Sequence, residues 1–244
     1  EAPDEILVDV IKNLPNAQGY CESKGLFSAR KAVMQKYQAL GIRSANVENV
    51  WMGNGVSELI VMAMQALLDD GDEILIPAPD YPLWTAAATL SGGYVKHYLC
   101  DEGAGWQPDI ADIKSKITNK TKALVIINPN NPTGTILTKK QLIKIILAAK
   151  RKSCFVFVDE CFIELVPQSN QSILNLVKKY HNLFVLRSLT KSFGLAGIRI
   201  GYAGAPKQII DILRKMKIPW SVNALAQEAG IIAVKNKTQS SKSK

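Results

Sequence analysis

The chain has 244 residues, 47% of them hydrophobic, and a net charge of +9, which points to a folded globular protein with room for one large α/β domain or two small ones. Cys21, Cys100, Cys154 and Cys161 lie far apart with no C-x-x-C pair, and only His97 and His181 could complete a metal site, which argues against a disulfide scaffold and against zinc and suits the reduced thiols of a cytoplasmic protein. The longest apolar runs, ALVII and CFVFV, fall far short of the roughly 20 residues that cross a bilayer, and the positive excess is spread through the later half and into KNKTQSSKSK without interleaved aromatics, which argues against a nucleic-acid groove.

Helical spacing of apolar residues runs through PDEILVDVIKNL (3–14), LFSARKAVMQKYQAL (26–40) and SELIVMAMQALL (57–68), the last so apolar all round that a buried helix is expected. Strand-like runs follow at DEILIP (72–77), YVKHYLC (94–100), KALVIINP (122–129), CFVFVDE (154–160) and NLFVLRSL (182–189). Helix candidates alternate with them at YPLWTAAATLSG (81–92), DIADIKSKI (109–117), TKKQLIKIILAAKR (138–151) and SILNLVKKY (172–180). The alternation implies an α/β fold, a mostly parallel sheet with helices on both faces. No internal repeat or interdomain linker is evident. The expected layout is one domain over residues 1–234 and a polar, basic, disordered tail over 235–244. No signal-peptide pattern opens the chain, and its start at Glu1 without Met reads as a fragment or a processed form.

In such sheets ligands bind beyond the carboxyl ends of the strands, so NPNNPTG, DECF and SLTK are the segments to inspect. Ahead of them, MGNGVSELI (52–60) is a glycine turn opening a helix. Its backbone N–H groups around Val56 and Ser57 can meet an anion, helped by the helix dipole, although an ordinary helix start accounts for the same residues. Neither a Walker loop nor a dinucleotide fingerprint is present, because Glu58 stands three places after Gly55 where the fingerprint needs glycine. NPNNPTG is a rigid turn in which the Asn131 amide can donate to a ligand oxygen. Asp159 ends a hydrophobic strand, where a carboxylate caps a turn or meets a buried cation. SLTKSFGLAGIR holds Ser188, Lys191 and Arg199. A lysine in apolar surroundings can have its pKa lowered enough to act as an amine nucleophile, whereas a lysine taken alone is usually a surface residue.

Together, and in this order, the glycine turn, NPNNPTG, VDE, SLTK and GIRIGY resemble the fold type I pyridoxal-phosphate enzymes of aminotransferase class I and II, over nearly the whole chain. The resemblance implies a metal-free enzyme with pyridoxal 5′-phosphate as cofactor and Lys191 as the catalytic residue, holding the cofactor through a Schiff base and then moving the substrate's α-proton. It implies that Asp159 pairs with the protonated pyridine nitrogen, Asn131 donates to the phenolic oxygen and Tyr81 stacks on the ring. The phosphate would be held by the Val56 and Ser57 backbone, the Ser188 hydroxyl and the Arg199 guanidinium. Tyr20, in GYCESKG, is similar to a tyrosine that reaches the phosphate of the neighbouring subunit, which implies a homodimer. The partners expected are then an amino acid and a 2-oxo acid, with no nucleic acid and no membrane.

Two departures qualify the resemblance. Phe162 stands where the family usually has a tyrosine that also donates to the phenolic oxygen. Family members also continue well beyond this chain into a small domain with the arginine that grips the substrate carboxylate, and no residue after Ala233 supplies it; the expectation is the large domain alone. The two halves point to different relatives. Residues 1–138 are similar to bacterial alanine aminotransferases, and from Cys154 the wording looks like histidinol-phosphate aminotransferases and threonine-phosphate decarboxylases, so a natural mosaic and an engineered recombinant both fit. Three functions are therefore expected in turn: amino transfer from an alanine-like amino acid, chemistry on a phosphorylated amine, or cofactor binding with little catalysis.

Overall fold

The computed structural model of the chain describes residues 2–42, 45–166 and 171–240, with residues 236–240 as backbone. In chain order the elements are α1 (Asp4–Asn13), α2 (Phe27–Ala39), β1 (Val50–Gly53), α3 (Gly55–Leu67), β2 (Glu73–Ala78), α4 (Leu83–Leu90), β3 (Tyr94–Asp101) and β4 (Gln107–Pro108). They continue with α5 (Ile110–Lys116), β5 (Thr121–Ile127), α6 (Lys139–Arg151), β6 (Phe155–Asp159), β7 (Leu183–Ser188), β8 (Gly201–Gly204), α7 (Lys207–Met216) and α8 (Ala224–Ser240). The chain divides into two compact units, one of residues 60–186 and one of residues 1–59 with 187–244.

In the unit of residues 60–186, β2 pairs in parallel with β3 on one side and β5 on the other, β5 pairs with β6, and β6 pairs with β7 through Asp159↔Leu186. Among the described residues of this unit only β4 is antiparallel, against β3. The sequence explains why these strands sit centrally. Val125, Val156, Phe157, Val158, Phe184 and Val185 are all fully buried, because strands covered on both faces read as unbroken apolar runs. Full burial of each such side chain contributes about 1.5–3 kcal/mol. The outer strand β3 instead alternates exposed and buried positions toward its end. Helix α6 buries Leu142, Ile146 and Ala149 at helical spacing and starts at a capping box, in which the Thr138 hydroxyl accepts from Gln141 N and Gln141 reaches back.

In the other unit β1 runs antiparallel to β8, Val50↔Gly204 to Gly53↔Gly201. Arg30 is 2% exposed, donates to the Gly25 and Val47 carbonyls and lies 3.5 Å from Glu22 and 3.6 Å from Glu48. Gln227 is buried, donates to the Val222 carbonyl and accepts from Leu26 N–H, tying α8 to the start of α2. Tyr37 and Tyr202 share a hydrogen bond of 2.7 Å between hydroxyls.

One expectation is corrected. SILNLVKKY forms no α-helix, only a single 3-10 turn at Leu174–Leu176. Tertiary bonds take over the start of the segment: Glu160 accepts from Ser172 Oγ and Ile173 N, both at 2.7 Å. At the other end α8 continues to Ser240. Lysine and glutamine are adequate helix formers, and extending an existing helix is cheap. Residues 241–244 lie outside the described residues.

Among the described residues no helix is long and apolar enough to cross a membrane, and no group of three or more His, Cys, Asp or Glu side chains could hold a metal. The thiols divide by burial. Cys100 and Cys154 are buried, and burial raises the Cys100 thiol to about 11 and the Cys154 thiol in the same direction. Cys21 and Cys161 are partly exposed. A thiol reagent applied to the native protein near pH 8 is expected to modify Cys21 and Cys161 first, with Cys100 and Cys154 protected until denaturant is added. Peptide mapping of the labelled sites measures this, and early labelling at Cys100 would contradict it.

Candidate cofactor site

The strand ends of the 60–186 unit carry three of the expected residues. Asp159 closes β6 and is 3% exposed. Its Oδ1 accepts from Cys161 N–H at 3.0 Å and its Oδ2 from Trp84 Nε1 at 3.1 Å. Burial pushes its carboxyl above the ordinary carboxylate range, and the bonds from Cys161 and Trp84 only partly oppose this. Among the described residues no cation pairs with it. A buried carboxylate satisfied by neutral donors alone is costly, and it suits a cationic ligand group.

Asn131, at the tip of the NPNNPTG turn, lines a cavity of about 380 Å³ with Ile136, Phe162, Leu165 and Val166. The turn is shaped by its other amides. Asn128 accepts from Leu137 N–H at 2.7 Å, and Asn130 accepts from Thr133 N–H at 3.1 Å while its own N–H donates to the Thr135 carbonyl. Asn131 itself is half-buried. Tyr81 is 37% exposed at the approach to α4.

The other unit carries the remaining residues. The N-terminus of α3 opens at Gly55, whose φ of +70° needs glycine. A Cβ there would collide with the Arg199 guanidinium, whose Cζ would lie 3.1 Å away. A Cβ on Gly201 would lie 3.0 Å from Val56 N, so two missing side chains leave the helix start bare. Arg199 adopts φ +62°, a strained conformation for a residue other than glycine, and donates to the Ala196 carbonyl at 3.0 Å. Among the described residues it pairs with no carboxylate. Ser188 shares a hydrogen bond with the Thr190 hydroxyl and accepts from Thr190 N–H. The donor set of this unit is therefore an unpaired guanidinium brought against the first residue of α3, together with the Val56 and Ser57 amides. Such an arrangement binds a phosphate.

Lys191 lies in the run of turns after β7 and is exposed. The apolar enclosure expected of it is absent, because Phe193 and Leu195 take the buried places of that loop. Tyr20 is 84% exposed and stacks on Trp220 at 4.5 Å between ring centroids.

Two contributors, Trp84 and Lys217, escape the motifs. Trp84 holds Asp159, and only its place in YPLW hinted at a buried aromatic. Lys217, 1% exposed at its side chain, pairs with Glu58 at 2.7 Å, and the same Glu58 oxygen accepts from Asn54 N–H at 2.7 Å. Glu58, which spoils a nucleotide fingerprint in the sequence, thus braces the glycine turn.

Comparison with known proteins gives the family. The family pattern described as Aminotransferase class I and II matches residues 3–243. The chain belongs to that family. Class I and II aminotransferases use pyridoxal phosphate; taken unit by unit, the buried Asp159 carboxylate has the chemistry to meet a cationic ring nitrogen, and the α3 start with Arg199 has the chemistry to meet a phosphate.

Within the family, the chain is 56% identical over 204 residues to the glutamate-pyruvate aminotransferase AlaA of Haemophilus influenzae, covering 83% of this chain and 50% of that protein. It is 48% identical to the alanine aminotransferase of Mycobacterium tuberculosis, covering 83% of this chain and 48% of the other. A more distant relative, histidinol-phosphate aminotransferase 2 of Carboxydothermus hydrogenoformans, is 31% identical, covering 92% of this chain and 60% of that one. The crystal structure of an aminotransferase from Escherichia coli superposes with a TM-score of 0.86 and 48% identity, covering 96% of this chain and 60% of the other. The chain spans about half the length of these curated relatives. Its fold is α/β with eight strands, mostly parallel, as the large-domain resemblance implies.

Proposed function

We propose that this chain binds pyridoxal 5′-phosphate and exchanges an amino group between a small, alanine-like amino acid and a 2-oxo acid. The observation that carries the cofactor reading is Asp159: the fold buries a carboxylate among neutral donors, and among the described residues no cation pairs with it. The alanine-like substrate is favoured by the 56% identity to a glutamate-pyruvate aminotransferase.

When bound, the cofactor supplies an electron-poor ring that takes up the electron pair left by the departing α-proton. The Asp159 carboxylate accepts from the protonated ring nitrogen and keeps that proton in place. Asn131 Nδ2 donates to the ring's phenolic oxygen, and Tyr81 offers a ring face for stacking. The Val56 and Ser57 N–H groups, the Ser188 hydroxyl and the Arg199 guanidinium hold the phosphate. Lys191 Nζ would be the point of covalent attachment and the group that moves the substrate's α-proton, as base and then as acid. We assign Tyr20, exposed on its own chain, to the phosphate of a second copy, which makes the active form a homodimer. The layout of residues 1–234 as the cofactor-binding domain and a cytoplasmic location belong to the same proposal.

A second reading is favoured by one residue and one relative. Phe162, beside Asn131 in the cavity, brings no hydroxyl to the phenolic oxygen, and the Carboxydothermus relative acts, by its name, on histidinol phosphate. The experiment is an absorbance titration with pyridoxal 5′-phosphate, followed by amino-donor panels. A new visible band that alanine bleaches and 2-oxoglutarate restores supports the first reading. Bleaching by histidinol phosphate or threonine phosphate alone supports the second. A band without turnover would mean that this length of chain binds the cofactor with little catalysis, and no band at all would overturn the cofactor reading.

A further inference from the structure

The aspartate has a neighbour that the cofactor roles leave unassigned. Trp84 is fully buried at the first turn of α4, and its Nε1 donates to Asp159 Oδ2 at 3.1 Å. Its ring meets Phe157 at 5.8 Å and 53°, and Phe157 meets Phe184 at 5.2 Å and 56°. Packing on this aromatic wall confines the indole to one rotamer, so the N–H is aimed rather than swung. An indole N–H is a donor only, and no side-chain proton of Trp84 titrates in the working range of a protein. A hydroxyl in its place would rotate and would also accept.

We propose that Trp84 is a positioning residue for the reaction. By donating to one carboxylate oxygen it holds Asp159 in a single orientation, in which the carboxylate would receive the proton-bearing ring nitrogen of pyridoxal phosphate. The backbone N–H of Cys161 fixes the other oxygen. Together the two donors leave the carboxylate without rotational freedom but with lone pairs to spare, since each oxygen can accept twice. This proposal rests on the cofactor reading above. It differs from a merely packed tryptophan in one respect: its effect must travel through the ring nitrogen.

The test compares pyridoxal 5′-phosphate with its 1-deaza analogue, which carries CH in place of that nitrogen, by equilibrium dialysis against the whole chain and against Trp84→Phe. Loss of a hydrogen bond to a charged group is expected to weaken pyridoxal phosphate about tenfold or more, while the analogue binds both proteins equally. If Trp84→Phe does not fold, β-(3-benzothienyl)alanine placed at position 84 removes the N–H and keeps the shape. Trp84→Gln, which restores an N–H donor, is expected to recover part of the lost preference. Equal weakening of both ligands would show that Trp84 only packs and would overturn the proposal. Failure of the unmodified chain to bind either ligand would overturn the cofactor reading, and this proposal with it.

Discussion

Lys191→Ala is expected to reduce amino transfer by at least about 10⁴-fold, the upper end of what a general acid–base group contributes, because it removes both the covalent anchor and the proton carrier. The chain should survive the change. Lys191 is exposed in a run of turns, and truncating an exposed side chain away from the core usually alters stability by only about 0.5 kcal/mol. Loss of function without loss of fold is therefore the expected signature. It is read most directly by adding pyridoxal 5′-phosphate, reducing with borohydride and mapping peptides by mass. The unmodified chain should carry the cofactor on the peptide containing Lys191, and Lys191→Ala should carry none at a defined position. Labelling of another lysine with full retention of transfer would remove Lys191 from the mechanism.

The exposure of Lys191 also bears on how the amine is tuned. A lysine activated by desolvation sits in an apolar pocket, and this one does not. If it anchors the cofactor, its reactivity is expected to depend on Arg199 and on the phosphate more than on neighbouring apolar side chains.

Asp159→Asn is expected to lower amino transfer by about 10²–10³-fold, the cost of removing one preorganised electrostatic partner, and to change the stability of the cofactor-free chain in a way that depends on pH. Burial raises the native carboxyl above its unfolded value of about 4. Between these two values the native state binds more protons than the unfolded state, so the stability contributed by the protonated group is lost as pH rises through that window. Asparagine carries no such proton. Denaturant midpoints of the cofactor-free proteins, measured from about pH 4 upward, should fall more steeply for the unmodified chain than for Asp159→Asn, with the other titrating groups cancelling in the comparison. Identical slopes would mean that Asp159 is not the buried, costly charge described above. If the slopes do differ, the fold tolerates a destabilising residue for the sake of its site, a common relation between activity and stability.

Much of this organisation can be read from the chain alone, and the reasons are local. Strands β5, β6 and β7 are apolar without interruption because both faces are covered, and α6 announces itself by a capping box and a regular apolar stripe. The residues at their ends stand out because polar side chains follow apolar runs. Short elements are less visible. Strands β1 and β8 have four residues each, too few for a period, and their antiparallel pairing joins segments about 150 residues apart. SILNLVKKY has a helical spacing that Glu160 overrides by taking the Ser172 hydroxyl and the Ile173 N–H.

The candidate site divides along the same line. The order of the motifs, the glycine turn, the strand-end asparagine and aspartate and the lysine before the arginine, was determined by the sequence, because each is a short stretch whose chemistry depends on neighbours in the chain. Only the tertiary structure decided that Asp159 is deeply buried and held by Trp84, that Glu58 braces the glycine turn through Lys217, and that Arg199 bends into a strained backbone to reach the start of α3. Each of these joins residues far apart in sequence, or a local conformation imposed from outside. Burial and hydrogen-bond geometry are properties of the packed whole, and no stretch of chain carries them by itself.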